Sequence, residues 1–187
     1  MTTKKLKDMK KDKFNLGTIE LGSEVIVSDP CYSLGTWCQG HLTDVKAGKY
    51  NAFMNKASVK DWGRRVTELW VCLEGTSKKF PKKLVGNIEI GVDSGAAGIF
   101  DAEYYKKHHP IGGMIDDEWC DRQFDLRYDY DMDGNKVKPN SDTERRDGIA
   151  LDGKCCVSFS GYGDGGYELF VELDEEKKIT SLGIKFI

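Results

Sequence analysis

Three short stretches of the chain place a carboxylate among residues that bend the backbone. In Ser28-Asp29-Pro30-Cys31-Tyr32, proline keeps the residue before it out of the α region, so Asp29 leaves its strand in a fixed direction. Its carboxylate could bind a ligand or metal, or accept backbone N–H bonds in an Asx-type turn. In Val92-Asp93-Ser94-Gly95-Ala96-Ala97-Gly98-Ile99-Phe100-Asp101, the glycines let successive N–H groups converge, as in anion-binding nests. Ser94 could contact a ligand, or attack one if a base lay beside it; a plain structural turn is the competing reading. Neither the Gly-Lys-Ser/Thr ending of a phosphate loop nor Gly-x-Gly-x-x-Gly is present. In Ser160-Gly161-Tyr162-Gly163-Asp164-Gly165-Gly166-Tyr167, four glycines flank one carboxylate and two rings. Such a stretch suits a tight structural crossing or a carboxylate held clear for binding or catalysis. Asp164 is the most attractive single residue.

Other chemistry is thinner. Asp129-x-Asp131-x-Asp133-Gly134-Asn135 begins like a calcium loop, but the twelfth position falls on Asn140, where a bidentate Glu is required. These aspartates are weak calcium candidates, and an acidic β-turn describes them as well. Cys31, Cys38, Cys72, Cys120, Cys155 and Cys156 are widely spread and read as reduced thiols; Cys-x6-Cys-x2-His at 31–41 lacks the tight spacing of structural zinc sites. Cys155 and Cys156 must point to opposite faces of a strand. His108 and His109 fall at a helix end, where exposure and the helix dipole account for them. With His41 they are the only imidazoles, and no nucleophile elbow accompanies them. If the protein is an enzyme, Asp164 and Asp29 are the residues to carry it. No motif calls for a cofactor.

The elements that must hold these residues are mostly strands. Short apolar or β-branched runs closed by Gly, Asn, Asp and Pro predict strands over 22–30, 47–57, 66–75, 83–95, 96–101, 149–153, 154–161 and 166–174, with a last one from Ile179. One helix is expected near 101–109, with Asp101 as N-cap, lysines toward its end and Pro110 stopping it. Residues 1–13 hold six lysines and two aspartates and read as a flexible basic arm. Residues 116–133 carry eight acidic and two basic groups, and their second half suggests a ribbon turning at Asp133-Gly134-Asn135. The expected fold is mainly β (α+β): an antiparallel β-sandwich-like single domain over 14–187 with one short helix.

Composition trims the functions available. With 28 basic and 31 acidic residues in 187, a formal charge of −3, nothing global draws the chain to nucleic acid or anionic lipid. Lys78-Lys79, Lys82-Lys83 and Arg64-Arg65 lack the aromatic interleaving of nucleic-acid modules. No long apolar run or signal-peptide core occurs, so neither membrane nor secretion is expected, and a cytoplasmic location is. Glycine is the outlier: 21 residues, about 11% against a usual 7%, concentrated in the turns above.

Taken in order, SEVIVSDPC, Val45-x-Ala-Gly-Lys-Tyr50, Val92-Asp-Ser-Gly-x-Ala-Gly-Ile-Phe-Asp101 and Ser160-Gly-Tyr-Gly-Asp-Gly-Gly-Tyr167 resemble the DUF4241 family of uncharacterised bacterial and phage-associated proteins over roughly 22–187. Tyr162 stands where that family usually has tryptophan, and Tyr167-Glu168 where it has Tyr-Pro. The resemblance implies a β-rich single domain, found alone or in toxin–immunity settings, and assigns no reaction. The residues favour a small cytosolic binding or interaction protein that recognises a polar small molecule or a partner protein through Asp29, Tyr32, Asp93, Ser94, Asp101, Asp164 and Tyr167. One alternative is a carboxylate- or metal-dependent hydrolase or lyase. The other is an immunity-type protein that neutralises a basic partner through the acidic 116–133 segment.

Overall fold

The computed structural model describes residues 10–109, 119, 129–130, 136–137 and 147–187. Two antiparallel sheets face each other. The first contains β1 (Lys11–Leu21), β4 (Gly48–Ser58), β5 (Arg64–Leu73), β13 (Ile179–Lys185), β12 (Gly165–Leu173) and β6 (Lys83–Val92), in that spatial order. The second contains β10 (Gly148–Leu151), β11 (Cys155–Phe159), β7 (Ala96–Asp101), β2 (Val25–Ser28) and β3 (Gly40–Leu42). A helix, α1 (Ala102–His108), follows β7 directly. A short ribbon, β8 (Asp129–Tyr130) with β9 (Lys136–Val137), pairs antiparallel around the expected Asp133-Gly134-Asn135 position.

Alternation along the strands explains the layering. Tyr50, Ala52 and Met54 of β4, with Leu69 and Val71 of β5, meet Val25, Val27, Ala97 and Ile99 of the second sheet in one buried cluster. Their neighbours face outward. On the second sheet, Ile26, Phe100, Cys155 and Val157 form a separate cluster with Ala102, Tyr105 and Trp119. The helix therefore covers the outer face of that sheet, its apolar side buried by the same rings that β2 and β7 turn away from the main core. Cys156 lies in the main cluster and Cys155 in the outer one, the opposite-face arrangement that adjacent strand residues require.

Both pairs of sheet edges are joined by main-chain hydrogen bonds. The Glu20 N–H donates to the Gly153 carbonyl (2.7 Å) beside β1 and β10, and the Gly91 N–H donates to the Cys38 carbonyl (3.0 Å) beside β6 and β3. The sandwich is thereby nearly closed, and part of its edge hydrogen-bonding capacity is satisfied.

Two local expectations change. Strand β1 starts at Lys11, so the last three residues of the segment read as an arm, 11–13, pair with β4 instead. His109 is buried, its ring tilted against Tyr105 and edge-on to Trp119, and so is not an exposed helix-end residue. The reason is that the outer face of the second sheet is apolar and draws the end of α1 down onto it.

Burial raises the Cys72 thiol and pushes Cys156 up to about 12. Thiol alkylation of the native protein at pH 8 with peptide mapping is therefore expected to leave both unlabelled, and to label them once denaturant is added. Rapid labelling of Cys156 in the native state would contradict this packing.

Candidate functional site

The Asp29 carboxylate is fully buried and hydrogen-bonded on both oxygens. Oδ1 accepts from the Cys31 N–H (2.8 Å) and the Ser94 hydroxyl (2.8 Å). Oδ2 accepts from the N–H groups of Asp93 (2.8 Å) and Ser94 (2.7 Å). Proline at position 30 sends the chain out of β2 so that this carboxylate meets the turn after β6. Four donors around one carboxylate replace its hydration shell, and this allows a charge to be buried with no cation paired to it among the described residues.

The loop after Asp29 is pinned from the helix. The Tyr105 hydroxyl bonds the Tyr32 carbonyl, and the Gln39 amide reaches the Ser28 hydroxyl (2.9 Å) and the Tyr105 hydroxyl (3.1 Å). Gln39 also accepts from the Gly35 N–H (2.9 Å). The Tyr32 hydroxyl donates to the Asp93 carboxylate (2.6 Å). Burial, followed by this bond to a carboxylate, raises the Tyr32 phenol above its ordinary range, so it remains a neutral donor at physiological pH.

The two glycine-rich turns are crossings between the sheets. Asp93-Ser94-Gly95 carries the chain from β6 in the first sheet to β7 in the second; residues 160–164 carry it back from β11 to β12. The turns touch: the Ser160 N–H donates to the Gly95 carbonyl (3.0 Å). Gly161 has φ +66°, and a Cβ there would lie 2.9 Å from the Val66 carbonyl oxygen, so only glycine fits. Tyr167 is buried and its hydroxyl returns to the Gly163 carbonyl (2.6 Å), which also accepts from the Ser160 hydroxyl (2.7 Å). Gly165 pairs with Val92, which makes Asp164 and Asp93 the next residues outward from one cross-strand pair. Both are exposed, and Asp164 has no hydrogen bond or ion pair among the described residues.

These crossings separate two clefts. One, of about 390 Å³, is lined by Tyr32, Trp37, Glu89, Asp93 and Gly166 among others. Trp37 is 92% exposed at its rim. The other, of about 440 Å³, is lined on the far side by Lys56, Arg64, Arg65, Asp147, Ser160 and Tyr162 among others. Among the described lining residues, the charged groups are Glu89 and Asp93 in the first cleft, and Lys56, Arg64, Arg65 and Asp147 in the second.

Of the residues singled out from the sequence, Asp29, Tyr32, Asp93 and Ser94 come together, with Asp164 and Tyr167 on the adjoining crossing. Asp101 does not join them. It pairs with Val25, four residues before Asp29 and about 13 Å along the strand. There it caps α1, accepting from the Tyr104 N–H (3.1 Å), and also accepts from the Gly22 N–H (2.8 Å). Asp131 and Asp133 lie outside the described residues, as do the side chain of Asp129, most of the acidic 116–133 segment and Cys120. Among the described residues no three His, Cys, Asp or Glu side chains gather as metal ligands; His41 instead meets Glu24 at 3.2 Å.

Trp37, Gln39, Glu89 and Tyr105 take part without having been singled out. Tyr105 falls on the expected helix one turn after Asp101, and this spacing was its only trace. For Trp37 nothing local distinguishes an exposed indole from a core one.

An antiparallel β-sandwich with two glycine-rich sheet crossings and a buried carboxylate tie defines the class. A family model described as "protein of unknown function (DUF4241)" matches residues 88–184, more than half of the chain, and the chain belongs to that family. The match runs from within β6 to within β13 and includes both crossings, whereas Ser28–Tyr32 lies before it. No curated protein and no solved structure matches the chain. No helix among the described residues is long and apolar enough to cross a membrane.

Asp29→Ala leaves three backbone N–H groups and a hydroxyl without their acceptor. The expected loss is about 3 kcal/mol, roughly 10 °C in Tm for a domain of this size. Asp164→Asn is expected to move Tm by less than about 2 °C. Thermal unfolding of the two variants checks both; equal, small shifts would contradict the assignment of Asp29 to the turn.

Proposed function

We propose that the protein is a binding protein whose ligand is a polar small molecule with a cationic end, held in the cleft between Trp37, Tyr32, Glu89 and Asp93. The observation that carries this reading is the nearly fully exposed indole of Trp37, on a loop fixed by Asp29, Gln39 and Tyr105, beside two carboxylates. An aromatic face with carboxylates at its edge suits an ammonium or guanidinium group. The ring quadrupole attracts the cation, and the carboxylates neutralise it and accept its hydrogen bonds. The cleft volume lies within the usual range for small-molecule sites.

In this reading the ligand-facing carboxylates are Asp93 and Glu89, with Asp164 at the margin, while Asp29 and Tyr167 hold the walls. Hydrolysis by paired carboxylates gains no support from Asp29. Each of its oxygens already accepts two hydrogen bonds, which leaves little capacity for a metal or a reacting water. The immunity-type alternative rests on the acidic segment outside the described residues. A cytoplasmic setting fits reduced thiols and is part of the proposal.

Calorimetric titration with arginine amide and its uncharged analogue citrulline amide separates charge from shape. Saturable binding of the first, weakened about tenfold or more in citrulline amide, is expected. Trp37→Ala should weaken arginine amide to a similar degree with an unchanged Tm. Equal binding of the two amides, or none of either, would reject this reading.

A further inference from the structure

We propose that the cleft beside Trp37 selects a linear molecule with an ammonium group at each end, the chemistry of an aliphatic diamine or polyamine. This rests on the cation-binding reading above and adds a second charge at a set distance. Register supplies that distance. On β6 and β12, Glu89 pairs with Glu168, Gly91 with Gly166 and Val92 with Gly165. Glu89 and Glu168 are both exposed, and like charges directly opposite each other disfavour a sheet. Lys185, the partner of Glu168 on β13, makes no ion pair with it among the described residues. The Glu89 side chain lies diagonally over the backbone of Gly166, in the space a Cβ there would fill. Its carboxylate is thereby level with residue 91, two positions and so about 7 Å along the strand direction from Asp93.

Both carboxylates keep capacity for a guest. Asp93 accepts the Tyr32 hydroxyl on Oδ2, and Glu89 accepts no hydrogen bond among the described residues. Neither is ion-paired among those residues. A divalent cation would need several oxygen ligands gathered on one point. No three His, Cys, Asp or Glu side chains gather in that way among the described residues. Two carboxylates held apart along one cleft instead suit two separate cationic heads, each neutralised and hydrogen-bonded at its own end.

Between the two ends the cleft has little bulk. Gly91, Gly165 and Gly166 line it. The Cys38 side chain occupies the space a Cβ on Gly91 would fill, which seats the loop carrying Trp37 against the floor. The exposed Trp37 ring can therefore lie along a methylene chain, and its π face attracts an ammonium group. A guest with a single charged head leaves one carboxylate uncompensated. A butane or pentane chain spans the gap and places a head at each.

Calorimetry with 1,4-diaminobutane, 1-aminobutane and magnesium chloride, at about 50 mM salt, tests this. The diamine is expected to bind about tenfold or more tighter than the monoamine, which has the same chain and one charge. Magnesium, a dication without length, is expected to bind more weakly than the diamine. Glu89→Gln and Asp93→Asn should each bring the diamine down to the affinity of the monoamine, and change the monoamine by no more than about twofold. Gly166→Ala, whose Cβ displaces only the flexible end of Glu89, should weaken the diamine similarly with no charge removed and an unchanged Tm. In combination with Glu89→Gln it should add no further loss. Binding of arginine amide with no gain for the diamine over the monoamine overturns this proposal and leaves the cation cleft standing; binding of no cation removes both. Tighter binding of magnesium than of the diamine, or diamine affinity indifferent to both carboxylate substitutions, would also overturn it.

Discussion

The arrangement depends on one buried carboxylate. Asp29 leaves β2 in the second sheet and takes hydrogen bonds from Asp93 and Ser94, where the chain is departing from the first. A charge in that position is tolerable only while all four donors stay in place, so the bonds hold each other as well as the crossing. Through Ser160 and Gly95 the second crossing leans on the first. The positions of Tyr32, Asp93, Asp164 and the walls of both clefts follow from that contact.

Much of the framework was legible because it rests on local rules. Alternation and β-branched runs marked β2 and the strands from β4 onward, and Asp101 announced α1 as an N-cap, which it is. Strand β1 was partly hidden, since its opening Lys-Asp-Lys is as polar as a solvated tail; pairing with β4 outweighs that composition. The surplus of glycine pointed to the right places for a reason the sequence could only offer as one of two. The turns at 93–95 and 160–164 are tight because the chain changes sheets there.

The site was legible by residue and much less by role. Asp29 reads the same in sequence whether it meets a ligand or three backbone N–H groups, because two of those groups lie 64 and 65 residues away and only that of Cys31 is local. Lys56 becomes notable only when strand register puts it on the inward face with Tyr50 and Met54. Trp37 and Trp70 are the same residue type, yet one is nearly bare in the loop between β2 and β3 and the other is almost fully buried on β5 between Phe53 and Phe80. The charged linings of the two clefts likewise arise from long-range pairing: Glu89 and Asp93 come from one strand and its turn, Lys56 and Arg64 from the hairpin β4–β5.

Amide hydrogen exchange at Asp93 and Ser94 tests the carboxylate tie most directly. Both lie in a turn between strands, where exposed amides exchange fast, but both donate to Asp29. If that buried carboxylate organises the crossings, the two amides exchange as slowly as those of the neighbouring strand β7, opening only with the sheet. Exchange at the rate of a free surface turn would show that Asp29 does not hold the crossing, and the account of both clefts would fall with it.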